Sequence, residues 1–220
     1  MMELTDVIGD IHSYNINIKS REIYLHGHVG NDEEEDPGIE YKMASKFIKN
    51  IRTLDGINSK PILIHMFSVG GEWQSGMAIY DAIVMCKSFV SILVYGQAES
   101  MSSIVLQASD NRVMTPNAYF MSHYGNGGYA GNYLDIQAAN KYDKHCCDVM
   151  LDIYANSFIK SKVFKESYKG GTIEKARNYL MRKMKNGDWY LNADDTIGHG
   201  FADYILGSKY DLDSIKNEGK

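Results

Sequence analysis

The chain has 220 residues, with 23 basic and 28 acidic side chains and a formal net charge of −5. This length favours one domain with additions, and it is enough to build a sizeable core without disulfides or metals. A hydrophobic share of 44% and a charged share of 23% are ordinary for a globular protein and argue against disorder. The mild acidity gives no support to nucleic-acid binding, which usually requires a basic surface.

The three cysteines do not suit an extracellular disulfide framework. Cys146 and Cys147 are adjacent, where a bridge would be strained, and Cys86 is distant from both. A reduced, intracellular setting is the simplest interpretation. The first residues, Met1 to Asp6, lack the order of a signal peptide, and no apolar stretch approaches the roughly 20 residues of a membrane span. We therefore expect a cytoplasmic protein with no membrane segment.

Hydrophobic periodicity predicts alternating helices and strands along the first half of the chain. The acidic run Asp32 to Asp36, closed by Pro37-Gly38, is expected to be a solvated loop. After it the pattern predicts, in order, a helix over Ile39–Leu54, a buried strand over Ile62–Phe67, a helix ending near Lys87, a buried strand over Phe89–Tyr95, a helix from Ser100 through Leu106, and strands over Arg112–Met114 and Asn117–Met121. This alternation is typical of a parallel sheet with crossover helices.

A long helix dominates the second half of the sequence. It follows the glycine-rich stretch Gly125–Gly131 and runs from Leu134 to about Lys160, roughly twice the average helix length, so it projects or packs against a partner subunit. Two shorter helices follow, capped by Thr172 and by Asn192, and Gly200 ends the second. From about Gly207 onward the sequence is polar, and a loose tail is expected.

Ser100 is the first candidate for chemistry. It lies in the segment Gly-Gln-Ala-Glu-Ser-Met, on a turn between a buried strand and an apolar helix. This position puts its hydroxyl at a helix N-terminus, where free N–H groups stabilise developing negative charge. The alternative is that Ser100 only caps the helix. Ser102 and Ser103 lie inside the first turn and are less well placed.

Two neighbouring segments can complete a site around Ser100. Gly70-Gly71 follow the preceding buried strand, and the loops after successive parallel strands share one sheet edge. Glycine there can present an N–H group to an oxyanion, although a plain strand-to-helix turn explains the pair as well. His123 ends another strand at the same edge and can act as a general base. The residues alone do not choose the orienting acid among 28 carboxylates.

The other histidines are weaker candidates. His26 and His28 alternate along one strand, but no Cys, Asp or Glu cluster accompanies them, so no metal site is expected. His65 lies within a buried strand and is expected to be a core residue. The remaining ones, in helix, loop or end positions, are His12, His145 and His199.

Four ordered motifs carry a family resemblance. They are Ser-x-Gly-Gly at Ser68–Gly71, Gly-Met-Ala-Ile-Tyr-Asp at Gly76–Asp81, Gly-Gln-Ala-x-Ser-Met at Gly96–Met101, and Met-x-His at Met121–His123. Together they resemble the proteolytic subunit of the ATP-dependent Clp protease. The resemblance extends from near Asp10 to about Leu206, which is most of the chain.

The resemblance implies a Ser-His-Asp triad in which Ser100 is the nucleophile and His123 the general base. The acid of the family lies in a segment Asp-x-Phe-x-Ser-Ala-Glu-Glu, which reads Asp-Trp-Tyr-Leu-Asn-Ala-Asp-Asp here, so Asp188 takes its place. The oxyanion hole maps to the backbone N–H groups of Gly71 and Met101. The backbone positions implied for substrate binding are Gly70, Gly125, Gly127 and Gly128.

The resemblance also implies an α/β fold with a crotonase-like head domain. One domain over residues 21–206 would follow an N-terminal segment, residues 1–20, and precede a tail, residues 207–220. A strand plus the long helix, at about residues 124–160, would form a handle, with Gly125 to Gly131 pairing with an extended peptide.

The implied activity is hydrolysis of peptide bonds of unfolded polypeptides through an acyl-enzyme, inside a chamber of heptameric rings stacked in pairs. No metal or organic cofactor is implied, and ATP would act only through a hexameric AAA+ unfoldase.

The sequence departs from the family pattern at positions that bear on specificity, ring stacking and unfoldase docking. In chain order, this chain has Leu63 and His65 where the family has two tyrosines of the docking strand, and Val69 where the family has a proline. It has Glu99 in place of a small residue, Tyr124-Gly125 in place of Gln-Pro, and Gly187 in place of an arginine that helps to join rings.

Two alternative functions stay open. A non-catalytic or regulatory ring subunit would be expected to lack a triad residue, and a crotonase-like acyl-CoA enzyme would not require the full triad.

Overall fold

The computed structural model describes residues 4–27, 38–207, 209–217 and 219. The acidic run Asp32 to Asp36 and His28 lie outside these residues. The elements in chain order are α1 (Leu4–Tyr14), β1 (Ile16–Asn17), β2 (Glu22–Gly27), α2 (Tyr41–Ile57), β3 (Ile62–Ser68), α3 (Trp73–Val84), β4 (Val90–Glu99), α4 (Met101–Leu106), β5 (Asn111–Met114), β6 (Tyr119–Ser122), α5 (Tyr133–Phe158), α6 (Lys162–Ser167), α7 (Ile173–Lys183), β7 (Trp189–Asn192), α8 (Ala193–Gly198), β8 (Tyr204–Ile205) and α9 (Leu212–Asn217).

A largely parallel sheet organises the chain, as predicted. Parallel pairing joins β2, β3, β4, β5 and β8 in that order, and β1 adds antiparallel to β2 at one edge. The apolar runs of β3 and β4 are explained by their central position, because a central strand is covered on both faces. The mixed α/β architecture predicted from the sequence is therefore confirmed.

Strand β4 changes partner along its length. Its first part, Ser91–Val94, pairs with β5, whereas Gln97–Glu99 pair in parallel with β6. Strand β6 then pairs antiparallel with β7, with Ser122 opposite Trp189. The ends of β4 and β6 and the start of β7 consequently meet at one edge, which is where Ser100, His123 and Asp188 lie.

The main core lies between the sheet and helices α2, α3, α4, α7 and the second half of α5. Along α5 the buried residues begin at Cys146 and include Met150, Tyr154 and Phe158, whereas the first turns are exposed. The helix begins with a capping box in which Asn132 and Asp135 satisfy each other's backbone N–H groups. Half of this helix therefore belongs to the core and half extends along the surface.

The caps predicted in the last third of the chain are confirmed. Thr172 accepts a hydrogen bond from the N–H of Lys175, and Asn192 accepts one from Asp195. Gly200, at a φ of 75°, follows the end of α8 in the left-handed region that glycine adopts without strain.

The handle segment that is expected to pair with an extended peptide is not a strand in the single chain. Residues 123–130 form no strand within the single chain. A strand exists only where a neighbouring backbone supplies hydrogen bonds, and no segment of the described chain lies alongside to pair with this one. The long helix of the handle is present as predicted.

The loose tail predicted from Gly207 is wrong. Residues 212–217 form α9, and Ile215 is 1% exposed where it packs on Leu63, Leu93 and Val113. These side chains form a second, smaller apolar cluster. Ile215 and the partly buried Tyr210 pack on this cluster, and Lys216 pairs with Glu22 at 2.9 Å, so the tail is held against the sheet.

Helices long and apolar enough to cross a membrane are absent from the part of the chain that the structure describes.

Candidate active site

Ser100 occupies the turn between β4 and α4 in a strained conformation. Its φ of 50° and ψ of −123° are unusual for a residue with a side chain, and such a conformation costs on the order of 1–3 kcal/mol. The surroundings hold it, because the N–H of Ser100 donates to the carbonyl of Met121 at 2.9 Å. The turn thus presents the hydroxyl of Ser100 at the sheet edge.

A buried hydroxyl pair supports the same turn. The Ser103 Oγ lies 2.6 Å from the carbonyl oxygen of Ser100 and 2.8 Å from that of Met121, so it can donate to either. The Tyr154 hydroxyl lies 2.6 Å from the same Oγ. Tyr154 is 1% exposed, and burial raises the pKa of its phenol, so it stays a neutral hydrogen-bonding group. The turn is tied in this way to the core half of α5.

The three residues assigned to a triad form a continuous hydrogen-bonded chain. The Nε2 of His123 lies 2.7 Å from Ser100 Oγ, and its Nδ1 lies 3.1 Å from Asp188 Oδ1. In the neutral tautomer that fits both contacts, Nδ1–H donates to the carboxylate and Nε2 accepts from the serine hydroxyl. The His123 side chain is 19% exposed and that of Asp188 48%. Their catalytic roles stay a prediction.

The diglycine packs against the Ser100 turn too closely for any side chain. A Cβ on Gly70, at a φ of 93°, would lie 2.8 Å from both Met101 N and Ser100 Cβ. A Cβ on Gly71 would lie 2.2 Å from the carbonyl oxygen of Ile39. Close approach to Ser100 and to Ile39 therefore requires glycine at both positions.

Two backbone N–H groups beside Ser100 stay without an acceptor in the described chain. The N–H of Ile39 donates to the carbonyl of Gly70, and the N–H of Glu72 donates to the carbonyl of Ile39. The N–H of Gly71, between them, makes no hydrogen bond in the described chain. Met101 is the first residue of α4, and its N–H has no intrahelical partner. Free N–H groups at a helix start can hold an anionic oxygen. The two assigned to an oxyanion hole are thus available for it.

Sequence reasoning missed the side chains that fix the diglycine. Ser102 Oγ donates to Ser68 Oγ at 2.7 Å, and Ser68 Oγ accepts from the N–H of Gly70 at 3.2 Å. Both serines are fully buried. They link the end of β3 to the first turn of α4. The only signal in the sequence was the presence of small hydroxyl residues in otherwise apolar segments.

A cleft of about 620 Å³ opens at the triad. One wall is the strip from Val69 to Gln74, and the segment Met121–Tyr129 and the α5 face from Tyr142 to Met150 form others. Of the four glycines assigned to substrate binding, Gly125 and Gly127 line this cleft. Gly70 lies behind Ser100, and Gly128 is outside the lining.

Glu99 adds negative charge next to the triad. Burial raises the pKa of its carboxyl, the charge of Asp188 raises it further, and His123 acts in the opposite direction. The charge of Glu99 in turn raises the pKa of Tyr190 on β7. Glu99 is thus electrostatically connected to both partners of Ser100.

His65 lies between aromatic rings in the middle of the central strand β3, apart from the triad. It stacks on Tyr24 at 4.8 Å, and its Nδ1 lies 3.1 Å from the Tyr95 hydroxyl. Glu22, next to His65 and paired with Lys216 at 2.9 Å, has its pKa lowered to about 2 by these partners. In the described residues, no group of three or more His, Cys, Asp or Glu side chains could hold a metal ion.

Comparisons with known proteins point to one family. The family model described as Clp protease matches residues 13–209. The chain is 28% identical over 171 residues to the ATP-dependent Clp protease proteolytic subunit of Deinococcus radiodurans, covering 76% of each chain. It is 28% identical over 201 residues to the protein of the same name from Carsonella ruddii, covering 90% of this chain and 89% of the other.

A solved structure supports the fold independently. A mutant ClpP1 from Listeria monocytogenes superposes with a TM-score of 0.69 at 20% identity, covering 90% of this chain and 96% of the other. Neither the non-catalytic subunit nor the acyl-CoA enzyme is favoured by these matches. The resemblance seen in the sequence and the assignment to a serine-type peptidase family are confirmed. The family model covers nearly the whole chain, and the chain therefore belongs to the Clp protease family.

Proposed function

We propose that the chain is a serine endopeptidase subunit that hydrolyses peptide bonds of unfolded polypeptides through Ser100, His123 and Asp188. The observation that carries this proposal is the unbroken hydrogen-bonded chain from Ser100 Oγ to His123 at 2.7 Å and from His123 to Asp188 at 3.1 Å. It opens into a cleft large enough for an extended peptide.

The proposed reaction begins with attack of Ser100 Oγ on the peptide carbonyl carbon while His123 Nε2 accepts the serine proton. The carbonyl oxygen becomes an oxyanion and accepts hydrogen bonds from the N–H groups of Gly71 and Met101. The carboxylate of Asp188 accepts the hydrogen bond from Nδ1–H and stabilises the imidazolium.

The C–N bond then breaks as the imidazolium gives its proton to the leaving amine, and an acyl-enzyme on Ser100 results. A water molecule attacks the carbonyl carbon of this ester while His123 Nε2 accepts a proton from the water. The second tetrahedral intermediate collapses to the product acid, and the proton returns to Ser100 Oγ. No proton or electron is left unaccounted for, and the residues present supply every proton transfer.

Backbone groups beside the triad support an extended substrate. The N–H and C=O groups of residues 124–130 have no hydrogen-bond partner within the described chain. Gly125 and Gly127 of this segment line the cleft. An extended peptide that adds as a strand to this segment would satisfy these groups and cross Ser100. The same addition would form the strand of the handle.

The exposed half of α5 supports self-association, which we propose to be into heptameric rings stacked in pairs. Its first turns present Tyr133 at 72%, Leu134 at 69% and Ile136 at 39% exposure. Apolar side chains grouped on one exposed helix are typical of a protein interface. ATP would act only through a hexameric AAA+ unfoldase; the two relatives are named as proteolytic subunits of an ATP-dependent protease.

Peptide cleavage by the purified full chain tests the proposal. Ser100→Ala is expected to abolish hydrolysis of a fluorogenic peptide, because it removes the hydroxyl that lies 2.7 Å from His123 Nε2. Ser13→Ala, on exposed α1, is the matched control and should retain full activity. Unchanged cleavage by Ser100→Ala would overturn the proposal.

Light scattering on the same samples tests the assembly. A particle several times the mass of the chain is expected, and a fully active stable monomer would contradict the ring. A ring that does not cleave would identify a non-catalytic subunit.

A further inference from the structure

Apart from His123, the ionisable Asp, Glu, Lys and Arg side chains that line the cleft are all acidic. The two carboxylates are Glu72, which directly follows Gly71, and Asp143 on α5. No lysine or arginine is among the described residues of the lining. Since Glu72 and Asp143 come from different walls, a peptide lying in the cleft meets negative charge from both.

Among the described residues, each carboxylate has one oxygen without a hydrogen-bond partner. Glu72 Oε2 accepts a hydrogen bond from Ser75 Oγ at 2.9 Å, and Asp143 Oδ1 accepts one from the Tyr129 hydroxyl at 2.6 Å. Neither carboxylate has a basic partner in the ion pairs of the described residues. The second oxygen of each is therefore available to a ligand, while the first holds the side chain in position.

Aromatic rings are a second, independent indication of a cationic ligand. Four of them line the same cleft: Trp73, Tyr124, Tyr129 and Tyr142. Tyr129 is 50% exposed and Tyr142 41%, and both are neighbours of Asp143 in space or in sequence. Ring faces attract ammonium and guanidinium groups, and they also pack against the apolar stems of lysine and arginine.

We infer that the cleft favours peptides that carry a lysine or arginine close to the bond that is cut. Asp143 with Tyr129 and Tyr142 forms one recognition wall, and Glu72 supplies a second carboxylate. This inference rests on the proposed peptidase function and adds a substrate class to it. An acidic side chain at the same place would be disfavoured by like-charge repulsion.

The expected size of the preference follows from the exposure of the groups. Solvent-exposed ion pairs change an equilibrium by a factor of about two to five each, so the two carboxylates together give a preference of about four- to twenty-five-fold. Because the pairs are exposed, the preference should fall when ionic strength is raised from ~0.05 M to ~0.5 M.

Three matched fluorogenic peptides that differ at one position, as lysine, norleucine or glutamate, test this with the full-length chain. The kcat/KM ratio of the lysine to the norleucine peptide is expected to exceed about four and to fall with salt. Asp143→Asn and Glu72→Gln should each lower that ratio two- to five-fold, since both keep the hydrogen bond to Tyr129 or Ser75. Asp81 is an exposed carboxylate on α3, the helix that begins directly after Glu72, and it does not line the cleft. Asp81→Asn should therefore leave the ratio unchanged.

A ratio near one in the wild type, or a ratio that neither variant changes, would overturn the inference while cleavage of the norleucine peptide still supports the peptidase. Failure to cleave all three peptides and to react with a serine-directed probe would instead remove the proposed function, and the inference with it.

Discussion

The triad edge and the handle are built in opposite ways. At the triad edge, Ser100 is strained, and buried partners hold it from three sides: Met121, Ser103 and the packed diglycine. In the handle, residues 124–130 lack backbone partners within the described chain, and the first turns of α5 expose Tyr133 and Leu134. The residues of the proposed triad are thus held by partners within the chain, whereas the handle has backbone groups and apolar side chains without partners in the described chain.

Asp188→Asn should give the largest loss at the triad edge. An amide cannot stabilise the imidazolium and favours the wrong tautomer of His123, so kcat should fall by about 10³–10⁴-fold with the fold intact. Steady-state kinetics with circular dichroism measure both. Activity within tenfold of the wild type would mean that Asp188 is not the orienting acid.

Gly70→Ala tests the close packing behind Ser100. The added Cβ would lie 2.8 Å from Met101 N, so the N–H group proposed for the oxyanion hole must move. Loss of one such donor costs about 10²–10³-fold in kcat, and a comparable loss is expected here. Gly56→Ala, where a Cβ meets nothing within 4 Å, is the control and should keep full activity. Equal activity of both variants would refute the packing argument.

Tyr154→Phe should lower stability by about 0.5–1.5 kcal/mol, the net contribution of one buried hydrogen bond. The Ser103 hydroxyl loses a partner but still donates to a carbonyl, so the Ser100 turn loosens without collapsing. Urea unfolding measures the stability, and a parallel fall in kcat is expected. An unchanged midpoint would show that the core half of α5 does not support the turn.

Leu134→Asp should act on assembly and leave the monomer fold alone. The side chain is 69% exposed, and substitutions at such positions change the folding free energy by about 0.5 kcal/mol or less. A charge in an apolar contact between chains, however, should shift the assembly to smaller particles in light scattering. Unaltered particle size would exclude this part of α5 from the interface.

Glu99→Gln should produce the smallest change. Its carboxylate attracts the protonated form of His123 and repels Asp188, so the variant destabilises the imidazolium. The acid limb of the kcat/KM profile should then move to lower pH by less than about one unit. A shift to higher pH would mean that Glu99 acts mainly through Asp188.

Much of the head domain could be predicted from the sequence because its signals are local. Apolar runs such as Ile62–Phe67 marked the central strands, and Thr172 and Asn192 marked helix starts. The partner change of β4 could not be read in this way, since it depends on where β6 comes to lie. The helix over residues 212–217 was missed for the same reason, because Ile215 is buried only by its contact with the side chains of the sheet.

The residues of the candidate site also differ in whether a local sequence pattern indicates them. Ser100 and His123 follow from turn and strand patterns, whereas Asp188 came only from the family resemblance, since residue patterns do not single out one carboxylate. Ser68 stood in a recognised motif, but its bond to Ser102 and the contact of Tyr154 with Ser103 join segments distant in sequence, so no local pattern indicated these contacts.

The most direct test of the account is to locate a covalent serine label. The full chain is treated with a fluorophosphonate probe and digested, and the modified peptide is sequenced by mass spectrometry. We predict a single adduct on Ser100, formed faster in the wild type than in His123→Ala by at least about 10²-fold, because the histidine activates the hydroxyl. Labelling of another serine, or equal labelling without the histidine, would contradict the proposed triad.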